Sequence, residues 1–247
     1  MDRVRIRVLG CGDAFGSGGR FQSCFMVTSN ARACLLDCGA TVLVAMRRFA
    51  IEPGSIDAIF LSHLHGDHFA GVPFFLLEQH FIGQRDRPLL IAGPVGTEER
   101  VMAALDVFFP GSAALQWRFP LTFAELTPRR TGRFGAFAIT PHVVTHPSGS
   151  AAFAFRLKAG DRLIAYSGDT EWTDTLVKVA RDADVFIVEC YAYDGAPQHH
   201  IDYSTLRENI SKLRSKRLLL THLSREMLER LSDVDLEVAE DGQLLEL

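Results

Sequence analysis

The stretch Leu61-Ser62-His63-Leu64-His65-Gly66-Asp67-His68-Phe69 constrains this chain more than any other. Four potential metal ligands fall there in the pattern His-x-His-x-Asp-His, directly after the apolar, strand-like run Ala58-Ile59-Phe60-Leu61. In an extended segment, side chains two apart point the same way, so His63 and His65 leave the strand end on one side. Asp67 and His68 then open an apolar helical stretch and are expected to face the same cavity from its first turn. Imidazole and carboxylate ligands at this density suit a borderline divalent ion, zinc first and manganese or iron next.

Three more candidates occupy equivalent places, each just past an apolar strand. His146 follows Val143-Val144, Asp169 follows Leu163-Ile164-Ala165-Tyr166, and His222 follows Leu218-Leu219-Leu220. Ligands presented from several strand ends converge on one edge of a sheet assembly, where rigid strands hold geometry better than loops do. The seven together exceed what one tetrahedral ion uses and suit two ions sharing a bridging carboxylate. His142 competes with His146 on position but lies inside the run leading to the strand end. His80, on a long apolar helix, reads as a helix-surface or satisfied core histidine.

The rest of the chain supplies strands and helices in two groups. Val4, Ile6 and Val8 alternate with arginines, the period of a strand with one buried face. The glycine-rich Gly10–Arg20 follows; lacking the lysine and the helix of a phosphate loop, it reads as the rim of a pocket. Cys24–Thr28 and Ala33–Asp37 form a hairpin about Ser29-Asn30-Ala31. Helices are expected over Thr41–Ala50, over Phe69–Ile82, and after a Thr97 cap with Glu98 and Glu99 in its first turn. Residues 117–140 read as short strands, and Ala152–Leu157 with Arg162–Ser167 as a hairpin. A short helix over Thr173–Ala180, an apolar strand over Val185–Cys190, a helix face at Leu206, Ile210 and Leu213, and a strand at Arg217–Leu220 follow. A last hairpin is expected about Asp241-Gly242. No internal linker or short repeat interrupts residues 1–247, which points to one layered α/β domain with helices outside.

Charge and cysteine content narrow the function. A net charge of −4 argues against a general polyanion-binding surface. Five cysteines without a CxxC pair are no disulfide framework and suit a reducing compartment. Cys34 and Cys38, flanking a strand, read as small buried hydrophobes. The start of the chain lacks a signal-peptide core and no apolar run is long enough to span a membrane, so the expectation is a cytoplasmic protein. Arg207, Lys212, Arg214, Lys216 and Arg217 cluster, with a solvated helix face as the default reading.

The sequence resembles the metallo-β-lactamase fold superfamily, and within it the branch related to RNase Z, the tRNA 3′-processing endonuclease. The matching motifs are Leu9-Gly10-Cys11-Gly12, the run from Leu61 through Phe69-Ala70-Gly71-Val72-Pro73, Tyr166-Ser167-Gly168-Asp169-Thr170, and Thr221-His222-Leu223-Ser224-Arg225. The resemblance implies a four-layer αββα sandwich with a dinuclear metal site between its sheets. It implies that His63, His65 and His146 hold one ion, Asp67, His68 and His222 the other, and that Asp169 bridges them. Asp67 would also orient the attacking hydroxide. The oxygen-reducing di-iron relatives carry Glu where this chain has His65. Gln198-His199-His200-Ile201-Asp202 resembles the segment from which RNase Z relatives bring an extra histidine toward the scissile phosphate, His200 being the better candidate of the two. Glu189 resembles the acidic partner that orients it.

One departure bears on substrate. The bacterial RNase Z enzymes carry a long tRNA-gripping arm between the ligands matching His146 and Asp169, and here one hairpin fills that interval. A small phosphodiester, such as a cyclic nucleotide or short nucleotide, therefore suits this chain better than full tRNA maturation, with hydrolysis by a hydroxide shared between two divalent ions. The alternative is a lactone, thioester or other acyl-ester hydrolase of the same fold, since fold alone does not choose the electrophile. A non-catalytic metal-held scaffold is the third class, disfavoured because all seven ligands are present. By analogy with RNase Z relatives, the apolar helices Thr41–Ala50 and Phe69–Ile82 could supply a homodimer interface.

Overall fold

Fourteen strands pair into two seven-stranded sheets in the computed structural model, which describes residues 3–247. Met1 and Asp2, the start of the segment read above for a signal peptide, lie outside the described residues. The first sheet takes β1 (Arg5–Gly10), β2 (Cys24–Ser29), β3 (Arg32–Leu36), β4 (Ile56–Phe60), β5 (Leu89–Gly93) and β6 (Leu121–Glu125) in chain order. The second takes β7 (Gly132–Phe134), β8 (Phe137–Val144), β9 (Ala152–Ala159), β10 (Arg162–Tyr166), β11 (Val185–Glu189), β12 (Leu218–Thr221) and β13 (Glu237–Val238). A final strand, β14 (Leu244–Glu246), returns to pair with β1.

Each sheet has an antiparallel half and a parallel half. Strands β1 to β3 are antiparallel and β3 to β6 parallel; β7 to β10 are antiparallel and β10 to β13 parallel. The β2–β3 turn is two residues, Asn30 and Ala31, both with positive φ, the geometry that matches strand twist in a tight hairpin.

Alternation along the strands sorts side chains into three apolar layers. Phe25, Val27, Cys34, Leu36, Ala58 and Phe60 point inward to meet Phe153, Phe155, Leu157, Ile164 and Ile187 of the other sheet. Their neighbours Met26, Leu35 and Ile59 point outward, under α1 (Val42–Arg48), α2 (Gly66–Phe69), α3 (Gly71–Phe81) and α4 (Thr97–Phe108). On the far side, Ala165, Phe186, Val188 and Leu220 are covered by α5 (Asp174–Ala180), α6 (Tyr203–Asn209) and α7 (Arg225–Glu229). Strands buried on both faces read as continuous apolar runs. The architecture is an αββα sandwich.

Three local expectations need correction. The tail is no hairpin: Glu237 and Val238 pair with β12 in one sheet, while Leu244, Leu245 and Glu246 pair with β1 in the other. The turn between them is anchored at the seam, where the Asp241 carboxylate accepts from the Cys11 and Phe21 backbone amides at 3.0 and 2.7 Å. Thr97 is the first helical residue of α4 rather than its cap; Gly96, with φ of 85°, precedes the helix, and the Thr97 hydroxyl donates to the Pro94 carbonyl. The buried helix expected from Phe69 begins earlier, as α2 and α3 in near-continuous succession about Ala70.

Candidate active site

All seven candidate ligands lie at one edge of the sandwich, at the C-terminal ends of strands. His63 and His65 follow β4, Asp67 and His68 sit in the first turns of α2, His146 follows β8, Asp169 follows β10, and His222 immediately follows β12. Donor atoms of His63, His65 and His146 all lie within 4.8 Å of one another, as do those of Asp67, His68, Asp169 and His222. Asp169 reaches both sets. One of its oxygens stands 3.9 Å from Nε2 of both His63 and His146 and 3.3 Å from Nε2 of His222; the other is 3.2 Å from Nε2 of His68. Asp67 closes the second set, with Oδ2 at 3.2 Å from Nε2 of both His68 and His222.

The chemistry of this donor set fits metal ions. Nε2 of His63, Nε2 of His68 and Oδ1 of Asp169 are buried and have no hydrogen-bond partner among the described residues. Leaving such atoms unsatisfied costs about 1–3 kcal/mol each, and a divalent cation satisfies imidazole nitrogen and carboxylate oxygen at once. Burial, followed by the neighbouring His68, holds the His63 imidazole well below its ordinary range. For Asp67, burial works upward, but His68 and the His222 hydrogen bond outweigh it and hold the carboxyl far below the usual range. A neutral imidazole and an ionised carboxylate are the ligating forms; His68 and His222, which the neighbouring Asp169 and Asp67 carboxylates raise against the pull of burial, would release a proton to an ion.

Behind the ligands stands a polar layer that the sequence reading did not single out. Asp37, fully buried at the end of β3, sits 2.7 Å from Nδ1 of His68 and accepts from the Ser62 amide at 2.7 Å, the Ser62 hydroxyl at 2.8 Å and the Tyr166 hydroxyl at 2.6 Å. The same Ser62 hydroxyl is 3.0 Å from Nδ1 of His63. An outer partner on the second ring nitrogen fixes the tautomer and leaves Nε2 to face the ion. The signal was a lone carboxylate closing the apolar run Cys34-Leu35-Leu36, in a segment assigned only to a hairpin. Asp37 and His222 both have positive φ, at 59° and 61°, which is uncommon outside glycine and clusters at functional sites.

His200 and Glu189 meet. The Glu189 carboxylate, fully buried at the end of β11, lies 3.1 and 3.2 Å from Nδ1 of His200. It is held by the Thr170 and Ile201 amides. The His200 ring stacks on His222 at 5.5 Å and on Tyr191 at 4.9 Å, and donor atoms of His146, Asp169 and His200 fall within 4.8 Å of one another. Burial pulls His200 down, but the Glu189 hydrogen bond and charge outweigh it and raise the imidazole above its ordinary range. His199 is turned elsewhere: its ring faces Glu171, and its carbonyl lies 3.0 Å from Nδ1 of His146.

Residues 4–244 match the protein family described as Anti-Pycsar protein Apyc1. The chain belongs to the Apyc1 family. Among relatives of this Apyc1-family protein, the Mycobacterium leprae protein ML1173 is 31% identical over 227 residues, covering 89% of this chain and 78% of its own. The probable metallo-hydrolase YhfI of Bacillus subtilis is 28% identical over 227 residues, covering 89% of this chain and 87% of its own. The crystal structure of YhfI superposes with a TM-score of 0.81 at 23% identity over all of both chains, and that of the short form of human tRNase Z with 0.80 at 24% identity over 98% of each. These likenesses place the Apyc1-family chain in the metallo-β-lactamase fold superfamily, on its RNase Z-like branch, among metallo-hydrolases.

The remaining polar candidates lie away from the cluster in this family member. His142 faces Pro128, Arg129, Thr175 and Lys178 on the outer side of the second sheet. His80 packs edge-on against Trp117 and accepts from the Arg118 amide. Most of the basic cluster is engaged locally: Arg217 with Glu237, Lys216 with Asp184, Arg207 with Asp235 and Lys212 with Asn209. All five cysteines are buried and free, and no helix among the described residues is long and apolar enough to cross a membrane.

Proposed function

We propose that this protein is a metal-dependent phosphodiesterase acting on a small phosphodiester, a cyclic nucleotide or short nucleotide. The observation that carries the reading is the His200–Glu189 pair beside the ligand cluster. With Nδ1 engaged by a buried carboxylate, the imidazole is held in one orientation and keeps Nε2 for a phosphoryl or leaving oxygen. The Glu189 hydrogen bond and charge raise the imidazole and so favour its protonated form, the form that donates a proton to a departing alkoxide.

His63, His65 and His146 would hold one ion, Asp67, His68 and His222 a second, and Asp169 stands between the sets. Divalent ions bound there would supply Lewis-acid charge to a phosphoryl oxygen and would lower the pKa of a bound water to about 7. Asp67, kept anionic beside His222, is placed to orient an attacking water. Fixed positive and hydrogen-bonding groups aimed where charge develops act mainly on the transition state. The interval between His146 and Asp169 is occupied by β9 and β10 of the second sheet, which supports a compact substrate over one gripped by an extended arm.

Protein reloaded with Zn²⁺ or Mn²⁺ is expected to hydrolyse bis-p-nitrophenyl phosphate. His63→Ala abolishes turnover, and His200→Ala lowers it by about 10²–10⁴-fold with metal content retained. Absence of turnover on any phosphodiester, with two ions bound per chain, would overturn the proposal and direct attention to lactones and thioesters.

A further inference from the structure

Phe15 is the most exposed large hydrophobic side chain among the described residues, at 84%. It sits in the glycine-rich segment after β1, between Asp13 and Gly16. An exposed aromatic ring is ordinary on a mobile loop, but this loop is held. The Asp13 side chain is 1% exposed and spends its carboxylate on the loop itself, accepting from the Phe15 amide at 3.2 Å, the Ser17 amide at 2.9 Å and the Ser17 hydroxyl at 2.8 Å. The Gly16 amide donates to the Asp13 carbonyl, and the Gln22 side-chain amide donates to the Ala14 carbonyl at 2.9 Å. Gly16 and Gly18 take the left-handed φ that this compact turn requires. The backbone on both sides of Phe15 is therefore fixed while its ring stands in solvent.

The loop is also part of the site edge. The Cys11 carbonyl accepts from the His222 amide at 3.0 Å, and Gly12 bridges to Leu223, the residue after that ligand. Farther out, the Tyr191 ring lies 6.0 Å from that of His222 and stacks on His200 at 4.9 Å. Cys11 and Gly12 thus tie this loop to the site edge at His222 and Leu223, with Phe15 three residues beyond Gly12.

We infer that Phe15 is a stacking platform for the heterocyclic base of a nucleotide whose phosphate lies at the His/Asp cluster. A base offers a flat π-face of any sequence, and an aromatic ring held by backbone contacts pays little ordering entropy to meet it. The inference rests on the phosphodiesterase reading and adds the base as a recognised group, making Phe15 a specificity-determining residue that touches substrate but not the reacting bond.

The deciding experiment is calorimetric binding of adenosine 5′-monophosphate and of base-free ribose 5-phosphate to metal-loaded protein, for wild type, Phe15→Ala and Phe15→Trp. Expected is a preference of at least about fivefold for the nucleotide, erased in Phe15→Ala and kept in Phe15→Trp. Steady-state rates give a second readout: Phe15→Ala raises KM for a cyclic nucleotide and lowers its kcat/KM relative to that for glycerol 1,2-cyclic phosphate. A purely structural role would lower both substrates alike. Equal binding of the two ligands by wild type, or an undiminished preference in Phe15→Ala, overturns the inference. A change of oligomeric state in Phe15→Ala with the nucleotide preference intact would also overturn it and assign the ring to a protein contact. A wild type that keeps the nucleotide preference yet hydrolyses no phosphodiester would refute the enzymatic reading alone.

Discussion

The Asp37 carboxylate lies 2.7 Å from Nδ1 of His68, and both side chains are fully shielded from solvent. Asp37 gathers Ser62, His68 and Tyr166 from three different segments, so one carboxylate orients a candidate ligand and ties the inner faces of both sheets. Asp37→Asn is expected to weaken metal affinity about 10–100-fold, read by titration against a competing chelator. Wild-type affinity in that variant would show that the His68 ring is held by packing alone.

The buried Glu189 carboxylate holds Nδ1 of His200, so in the proposed reaction the two are expected to behave as a unit. Glu189→Gln and His200→Ala should each lower turnover by about 10²–10⁴-fold, and the double variant should be no worse than the poorer single one. Metal content should stay at the wild-type level in all three. Multiplicative losses would mean that the two groups contribute independently.

Gly71 is a packing requirement. A Cβ there would stand 2.2 Å from the Gly39 carbonyl oxygen and 2.8 Å from that of Cys38, both backbone atoms. The approach brings α3 against the turn after Asp37 and so seats α2 with Asp67 and His68. Gly71→Ala is expected to cost about 1–3 kcal/mol, visible as a melting temperature lower by several degrees. A melt that coincides with wild type would refute this.

His142 provides the control for the ligand assignment. It lies on β8 facing Arg129 and Lys178, where burial and then the charges of Arg156, Arg129 and Lys178 lower its imidazole below the ordinary range. His142→Ala should retain wild-type metal stoichiometry and turnover. Loss of an equivalent of metal would place it in the ligand set.

Stripping the ions should destabilise the fold as well as stop turnover. Ligands bound only by the native state stabilise by mass action, about 2.7 kcal/mol at a free concentration one hundred times Kd. Calorimetric melting before and after chelation, with Zn²⁺ restored in the second arm, is expected to show a reversible fall. An identical melt in both states would contradict a site built from these seven residues.

The seven candidate ligands and a layered α/β fold rest on local pattern in the chain, whereas the four-layer sandwich and the pairing of His200 with Glu189 were expected from the resemblance to RNase Z relatives. Apolar runs marked strands, ligands followed their ends, and the alternation of Val4, Ile6 and Val8 announced a buried face. What eluded that reading depends on contacts distant in sequence. Asp37 looks like any turn carboxylate until the fold brings Ser62, His68 and Tyr166 to it. Phe15 looks like any loop aromatic until Asp13 is seen to hold its backbone in the segment that bonds to His222.

The tail shows the division most plainly. By itself, the sequence determined two short β-prone runs separated by Asp241-Gly242, and local turn chemistry favours pairing them with each other. Tertiary structure decided otherwise, because strands of two and three residues gain more from extending β12 and β1 than from pairing together, and because the Asp241 carboxylate satisfies the Cys11 and Phe21 amides at the seam. Periodicity reports which face of a strand is buried; which neighbour buries it, and which distant donor a carboxylate meets, is settled only when backbone hydrogen bonds across the whole molecule are satisfied together.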